Sequence, residues 1–223
     1  MSELKELGSQ TTYWNAAAAA GTKQFAHPLH RPWLEDVSRN ATLLDYGCGY
    51  GRIMNDLAQQ GFNNLAGVDT SPTMIAQARQ RHPAMQFTTL DRPPKLPMAA
   101  ASVDVILLFA VLTCIPEDQA QRSLIGELTR VLKPNACSTS ATCSYRTTSA
   151  TRTATPNPPN ATAPTGYSGP TTAQSAATTQ ATGSPPCSQD WTPSPPRHIT
   201  VPTMNGYESE GLQLLTHKRT PNR

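Results

Sequence analysis

The stretch Asp45-Tyr46-Gly47-Cys48-Gly49-Tyr50-Gly51-Arg52 decides the fold of this 223-residue chain. It follows the apolar residues of a short strand at 42–45 and precedes apolar residues with helical spacing at 53–58. Its three glycines allow a tight turn and the close approach of a ligand, because glycine has no Cβ atom. The stretch therefore predicts a turn from a strand into a helix whose first N–H groups face outward.

The acidic residues around this turn indicate which ligand it suits. Asp69 ends the next predicted strand, 22 residues after Gly47, where a carboxylate can accept hydrogen bonds from ribose hydroxyls. A dinucleotide turn, G-x-G-x-x-G, would need a third glycine at position 52, which is Arg52. Asp45, two residues before Gly47, would attract a cationic ligand and repel a pyrophosphate. The pattern favours a positively charged nucleoside.

Strands and helices alternate along the first part of the chain. Alternating or continuous apolar runs predict strands at 42–45, 65–69, 85–90 and 103–108. Helices are predicted between them: Gly61 ends the first, and Ser71-Pro72 supplies the N-cap and first residue of the second. A third apolar stripe runs from 124 to 132. Alternation of this kind predicts an α/β fold with a doubly wound, Rossmann-like sheet.

Four segments in this order resemble the class I S-adenosylmethionine-dependent methyltransferases. They are 43–52, 67–75, 107–116 and 130–134, and together they span about 100 residues. The resemblance implies that the cofactor is S-adenosyl-L-methionine and that a methyl group passes to an unidentified, small-molecule acceptor. A cofactor-binding remnant without activity and a nucleotide-dependent oxidoreductase are the alternative interpretations.

The resemblance also implies roles for individual residues. Gly47 and Gly49 would line the methionine portion, Asp69 the ribose, Leu90 or Asp91 the adenine, and Phe109 the methyl group. The candidate cofactor-binding residues are Asp45, Gly47, Cys48, Gly49, Asp69, Leu90, Asp91 and Phe109. Tyr13-Trp14 and 25–28 resemble the lid-forming leader of a bacterial subgroup. The glycines as a plain helix cap, and Asp91 as a turn residue, are the simpler alternatives; no catalytic residue or metal ligand is predicted.

Composition excludes several other classes of protein. The net charge is +3 and the basic residues are scattered, so no nucleic-acid surface is predicted. No apolar run approaches the 20 or so residues of a membrane span, and the N-terminus does not resemble a secretory signal. The five cysteines have neither zinc spacing nor a disulfide framework. We expect a cytoplasmic protein.

The composition changes abruptly at residue 137 and again near residue 197. Residues 137–196 contain no Val, Ile, Leu, Met or Phe and are rich in Ser, Thr, Ala and Pro. Such a segment cannot bury enough apolar area to offset its ordering entropy, so disorder is predicted. The sequence then divides into a leader (1–33), a cofactor-binding domain (34–136), this low-complexity segment, and a remnant of the last strand (197–223).

A shifted reading frame is our hypothesis for the origin of the low-complexity segment. When the codons of residues 136–145 are written degenerately, with serine as TCN, reading from the third base of the Ala136 codon gives NTG, YTC, NAC, NTC, NGC, NAC, NTG, YTC and NTA. Every codon with a central T encodes an apolar residue, so this frame can encode a buried strand such as Val-Leu-Tyr-Ile-Ser-Asp-Leu-Leu-Leu. A genuine Ser/Thr/Pro linker is the alternative.

The frameshift hypothesis predicts how a repaired chain behaves. Restoring the alternative frame over 137–196 should supply the apolar fifth strand, raise the melting temperature and permit methyl transfer, because the sheet edge beside 103–108 would be covered by apolar side chains. Thermal unfolding of both chains and the coding DNA between codons 130 and 200 provide the measurements. Hydrogen-exchange protection across the whole of 137–196 in the present chain would contradict the hypothesis.

Overall fold

The computed structural model describes residues 2–20, 27–145, 191–202 and 208–218. All of these belong to one of two compact units, residues 1–146 with 188–223; the other unit, residues 147–187, lies outside the described residues. The helices are α1 (Ser2–Ala19), α2 (Arg52–Gln59), α3 (Pro72–Arg81) and α4 (Asp118–Val131), with short 3-10 helices at Arg31–Leu34 and Leu112–Cys114. None of the helices described is long and apolar enough to cross a bilayer.

Among the described residues, eight strands form one sheet. They are β1 (Thr42–Tyr46), β2 (Asn64–Asp69), β3 (Gln86–Thr89), β4 (Val103–Leu108), β5 (Leu132–Tyr145), β6 (Trp191–Pro193), β7 (Arg197–Pro202) and β8 (Glu208–Lys218). Their order is β3-β2-β1-β4-β5-β8-β6, and β7 also pairs with β8. Strands β1 to β5 run parallel, whereas β8 runs antiparallel to β5. The order winds outward from β1 in both directions, which confirms the predicted doubly wound α/β class.

Helices cover both faces of the two central strands, β1 and β4. One face packs against α2, and its buried residues include Leu43, Val105, Leu107, Ile53 and Leu57. The other face packs against α4, and its buried residues include Leu44, Ile106, Leu108, Leu124 and Leu128. Central parallel strands lack a solvent face, which explains their continuous apolar sequences.

The helix ends follow the local signals in the sequence. The Ser71 hydroxyl accepts a hydrogen bond from the Met74 N–H at 3.2 Å, and Pro72 is the first residue of α3. Gly61 follows α2 with φ +88°, a left-handed conformation that favours glycine, and its N–H donates to the Ala58 carbonyl at 2.9 Å. Both predicted boundaries are confirmed.

The structure differs from expectation at both ends of the low-complexity segment. The backbone of 137–145 lies in β5, between β4 and β8, and 191–193 form β6, whereas the composition predicted disorder and an unpaired edge beside β4. A ladder joins backbone N–H and C=O groups, so a strand flanked on both sides can pair without apolar side chains. Most of the predicted disordered segment, 146–190, lies outside the described residues.

An irregularity at the start of β5 marks the transition from α4. Leu132 pairs with Val103 and Cys137 with Val105, so a step of two residues along β4 spans five along β5. Pro134 lies within this bulge, where its missing N–H removes no ladder bond. The Lys133 ammonium, also in the bulge, lies 2.8 Å from the carboxylate of Asp104.

Strand β8 is anchored to the end of α4. The Lys218 ammonium donates to the carbonyls of Thr129 and Leu132, each at 2.7 Å. The last carbonyls of a helix have no partner within the helix, so a lysine there satisfies them and complements the helix dipole. This contact fixes the far end of β8 against the cofactor-binding part predicted from the sequence.

Two glycines provide a matched test of the packing. A Cβ atom at Gly67 in β2 would collide with Met54 Sδ and lie 2.9 Å from Phe87 Cδ1, whereas one at Gly126 in α4 would meet nothing within 4 Å. Gly67→Ala should lower the free energy of unfolding by about 1–3 kcal/mol through overpacking. Gly126→Ala should raise it by about 0.5–1 kcal/mol through helix propensity. Urea denaturation measures both; equal effects of the two changes would contradict the packing described.

Candidate functional site

The turn after β1 has the backbone that its glycines predict. Gly47, Gly49 and Gly51 have φ values of +77°, +54° and +86°. A Cβ atom at Gly47 would lie 2.5 Å from Val111 Cγ2, in the segment that follows β4. A side chain at Gly47 would therefore be disfavoured both by its backbone conformation and by its neighbour.

Backbone bonds fasten the turn to β2. The N–H groups of Gly47 and Cys48 both donate to the carbonyl of Val68, at 2.8 and 3.0 Å, and the Gly51 N–H donates to the Cys48 carbonyl at 2.9 Å. The Gly49 N–H does not take part in these backbone bonds and donates to Asp69 instead. The turn is therefore held rigidly at the carboxyl edge of the sheet, where open α/β sheets bind ligands.

Asp69, at the end of β2, joins the turn to α3. Its Oδ2 accepts from the Gly49 N–H at 2.9 Å, and its Oδ1 accepts from the Ser71 N–H at 2.8 Å. Burial raises the pKa of this carboxyl, and backbone N–H groups of Ser71, Gly49 and Thr70 oppose that shift. An ionised carboxylate has about four lone-pair directions, so both oxygens retain capacity for a second donor.

Asp45 carries the least satisfied polar atom of the site. The residue is 3% exposed, and its Oδ2 is buried with no hydrogen-bond partner among the described residues. Burial raises the pKa of Asp45 to about 7, the charge of Arg52 opposes the shift, and the charge of Asp69 adds to it. A buried carboxylate oxygen normally has a donor, so this one suits a cationic donor from a ligand.

Arg52, the first residue of α2, connects the turn with the leader. Its Nη2 donates to the carbonyl of His27 at 2.7 Å. Burial lowers the pKa of His27, and the nearby Arg52 charge lowers it further. The His27 imidazole is therefore neutral at pH 7 and able to accept a proton.

Helix α1 packs against the start of α3, next to Asp69. The Ser71 hydroxyl donates to Asn15 Oδ1 at 2.6 Å, and Gln77 Nε2 donates to the Ala18 carbonyl at 2.8 Å. The rings of Tyr13 and Trp14 form an edge-to-face pair with centroids 5.0 Å apart. Of the leader residues that resemble a lid, 13–14 thus lie in a helix beside the site, while 25–26 lie outside the described residues.

The two adenine candidates differ in exposure. Leu90 is 5% exposed, packs in the cluster that includes Leu44 and Val68, and donates its N–H to the carbonyl of Asp69 at 2.8 Å. Asp91 is exposed. The Leu90 side chain thus belongs to the core, and the Asp91 side chain is accessible to a ligand at this edge.

Phe109 and Cys114 follow β4, whereas Cys48 lies in the glycine turn. Phe109 is half-buried and packs in the same cluster as Leu29 of the leader. Burial raises the pKa of the Cys48 and Cys114 thiols, and in each case the charge of Asp69 adds to the shift. Both cysteines are therefore thiols at neutral pH, which does not suit a nucleophile.

A cleft of about 590 Å³ lies at the opposite edge of the sheet, near the amino ends of β1, β4 and β5. Its lining includes Trp33, Asp36, Asp104, Lys133 and His217. Ligands of open parallel sheets bind at the carboxyl ends of strands, so this cleft is separate from the turn.

Sequence reasoning missed three residues that shape the site: Asn15, Arg52 and Gln213. In the sequence, Arg52 indicates only that a dinucleotide turn is absent, although its position at the start of a predicted helix places it near the turn. Gln213 lies in an alternating apolar stretch, Leu212 to Leu215, where a polar residue at a buried register is unusual. Asn15 gave no signal, because its partner Ser71 is 56 residues away.

Part of this chain is similar to known proteins. Residues 44–137 match a family described as a methyltransferase domain. A trans-aconitate 2-methyltransferase of Methylobacterium nodulans is 32% identical over 130 residues, which are 56% of this chain and 47% of that protein. A ribosomal protein L11 methyltransferase of Dechloromonas aromatica is 36% identical over 86 residues, 37% of this chain and 29% of that protein. The chain thus spans less than half the length of both.

A solved structure supports the same fold. The crystal structure of an S-adenosylmethionine-dependent methyltransferase from Methanosarcina mazei superposes with a TM-score of 0.61 and covers 86% of this chain and 99% of that chain. The sequence identity is 15%, so this likeness concerns the fold alone.

The buried Asp45 predicts a pH dependence of stability. Its pKa is about 7 in the folded chain and about 4 in an unfolded one. The folded state thus retains a proton that the unfolded state has lost, so the free energy of unfolding should fall as the pH rises from about 4 to 7. Asp45→Asn should remove this part of the fall, and the exposed Asp36→Asn should not. Urea denaturation at pH 5 and 7.5 measures the change in the free energy of unfolding. An equal change in wild type and Asp45→Asn would contradict the prediction.

Proposed function

We propose that the chain is a class I S-adenosylmethionine-dependent methyltransferase, which transfers a methyl group from S-adenosyl-L-methionine to a small-molecule acceptor. The observation that carries the proposal is the buried, unpartnered Oδ2 of Asp45 beside the glycine turn. A carboxylate in that position suits the ammonium group of the cofactor's methionine portion. Ionic pairing there would also lower the pKa of Asp45 and hold it ionised.

The charges of the turn favour this ligand over a dinucleotide. The buried Asp45 and the half-buried Asp69 both lie at the edge where a pyrophosphate would have to lie. Two carboxylates would repel a phosphate group but attract a cation. Gly47 leaves no room for a side chain between the turn and Val111, so backbone and ligand can approach closely.

Asp69 is proposed to bind the ribose. Its two oxygens already accept from Gly49 and Ser71, which fixes the carboxylate plane. The remaining lone pairs are directed away from those donors and can accept two vicinal hydroxyls. Asp91, or the backbone of Leu90, is proposed to contact the adenine, with the Leu90 side chain retained in the core.

The chain's contribution to the reaction is alignment and exclusion of water. When bound, the cofactor supplies a methyl group already activated by its sulfonium. Phe109 and Leu29 would present an apolar border that keeps water from the acceptor. Rigid fastening of the turn to β2 would hold the donor in line with the acceptor. If the acceptor arrives protonated, the neutral imidazole of His27 is the proposed proton acceptor.

The proposed acceptor is a small molecule. The trans-aconitate 2-methyltransferase relative supports this choice. The L11 methyltransferase relative, named for a ribosomal protein, supports the competing possibility of a protein acceptor.

Binding and turnover test the proposal separately. Calorimetry on the full chain should show S-adenosylhomocysteine binding and no NAD binding. NAD binding alone would overturn the proposal in favour of an oxidoreductase. Transfer of a labelled methyl group to a panel of small carboxylic acids would establish activity. Binding without transfer to any small molecule or protein would support a cofactor-binding remnant instead.

The ribose contact gives a point prediction. Asp69→Ala should weaken S-adenosylhomocysteine binding by about 1.5–3 kcal/mol, the range for hydrogen bonds to a charged group. Asp36→Ala, at the opposite edge of the sheet, is the matched control and should bind normally. Calorimetry on folded variants makes the comparison. Unchanged affinity in Asp69→Ala would remove this residue from the binding site.

A further inference from the structure

We propose that Gln213 of β8 is a positioning residue that holds the leader over the methionine end of the cofactor site. The leader segment concerned is 27–29, referred to as the strap. The inference rests on the proposed function for its consequence, cofactor binding, while the tether itself is a feature of the fold.

Two side chains hold successive carbonyls of the strap from different elements. Arg52 Nη2, on α2, donates to the His27 carbonyl at 2.7 Å. Gln213 Nε2, on β8, donates to the Pro28 carbonyl at 2.6 Å. The strap is therefore fixed between the helix that follows the glycine turn and the last strand of the sheet.

Gln213 lies where the strand pattern would place an apolar residue. Gly211, Gln213 and Leu215 are the buried alternate residues of β8, and Gln213 is 1% exposed. An amide buried to this extent is unfavourable unless its groups are hydrogen-bonded. Here Oε1 accepts from Arg197 Nη1 at 2.9 Å, and Nε2 donates to the strap. Both polar groups of the amide are therefore hydrogen-bonded, and Nε2 binds only to the strap.

The strap is linked to residues near the glycine turn and the exit of β4. Leu29 packs in the same cluster as Phe109 at the exit of β4. The carbonyl of His27 orients Arg52, and the charge of Arg52 acts on both His27 and Asp45. Displacement of the strap would therefore release Arg52 and change the electrostatic environment of Asp45. Gln213 would influence the cofactor through this sequence of contacts without touching it.

Three variants separate the strap from the other partner of Gln213. Gln213→Met keeps the length of the side chain and removes both hydrogen bonds. Gln213→Glu still accepts from Arg197 but cannot donate to the Pro28 carbonyl when ionised. Arg197→Met, the matched control, leaves the bond to the strap in place.

Calorimetry with S-adenosylhomocysteine and hydrogen exchange of residues 27–34 are the two measurements, made on the full chain with its melting temperature recorded. Gln213→Met and Gln213→Glu should both raise the Kd about three- to tenfold, because both lose the hydrogen bond to the strap. Both should also speed exchange in 27–34 with and without ligand. Arg197→Met should resemble wild type in both measurements.

Two results would overturn the inference. Wild-type affinity and exchange in Gln213→Glu would mean that Gln213 acts only through Arg197 and β7. Unchanged exchange of 27–34 in both Gln213 variants would mean that the strap is not held by this residue. If wild type itself fails to bind S-adenosylhomocysteine, the proposed function fails, and the exchange measurement without ligand still tests the tether.

Discussion

The proximity of two carboxylates, the buried Asp45 and the half-buried Asp69, is the constraint on which the site depends. Each lies at the carboxyl edge of adjacent strands, and the charge of Asp69 raises the pKa of Asp45 further. Buried like charges are unfavourable unless donors or cations compensate them. The backbone N–H groups of Gly49 and Ser71 compensate Asp69. Arg52 compensates Asp45 only in part, which leaves a position that a cationic ligand would complete.

Features set by neighbouring residues were predictable from the sequence, and features set by distant ones were not. The turn, the Ser71 cap and the Gly61 helix end depend on local backbone preferences, so residue type and spacing were sufficient. The contact of Asn15 with Ser71 and that of Gln213 with Pro28 join residues 56 and 185 positions apart. Periodicity carries no information about such pairs. Asp69 was predicted as a ribose ligand, but its bond to Gly49 required the fold.

The fifth strand shows where reasoning from composition failed and where the frameshift hypothesis still applies. Composition describes side chains, whereas β5 is joined to β4 and β8 through its backbone. The register places 137, 138 and 140 opposite Val105, Ile106 and Leu108, all buried. A strand beside such a neighbour in a covered parallel sheet is normally apolar. With serine written as TCN, the alternative frame would encode apolar residues at these three positions, so the hypothesis would account for a sequence that does not suit its place in the sheet.

On the frameshift hypothesis, the anchors of β8 limit where the original frame would resume. Arg197 Nη1 donates to Gln213 Oε1 at 2.9 Å. Gln213 also contacts the strap, and Lys218 contacts α4. The contacts of Gln213 and Lys218 with elements far upstream favour the hypothesis that these residues are read in the frame that encodes the rest of the domain. A frame restored after residue 197 would lose the Arg197 partner, and one restored after residue 213 would lose the strap. The composition returns to that of a folded domain at residue 197, where the first of these contacts begins.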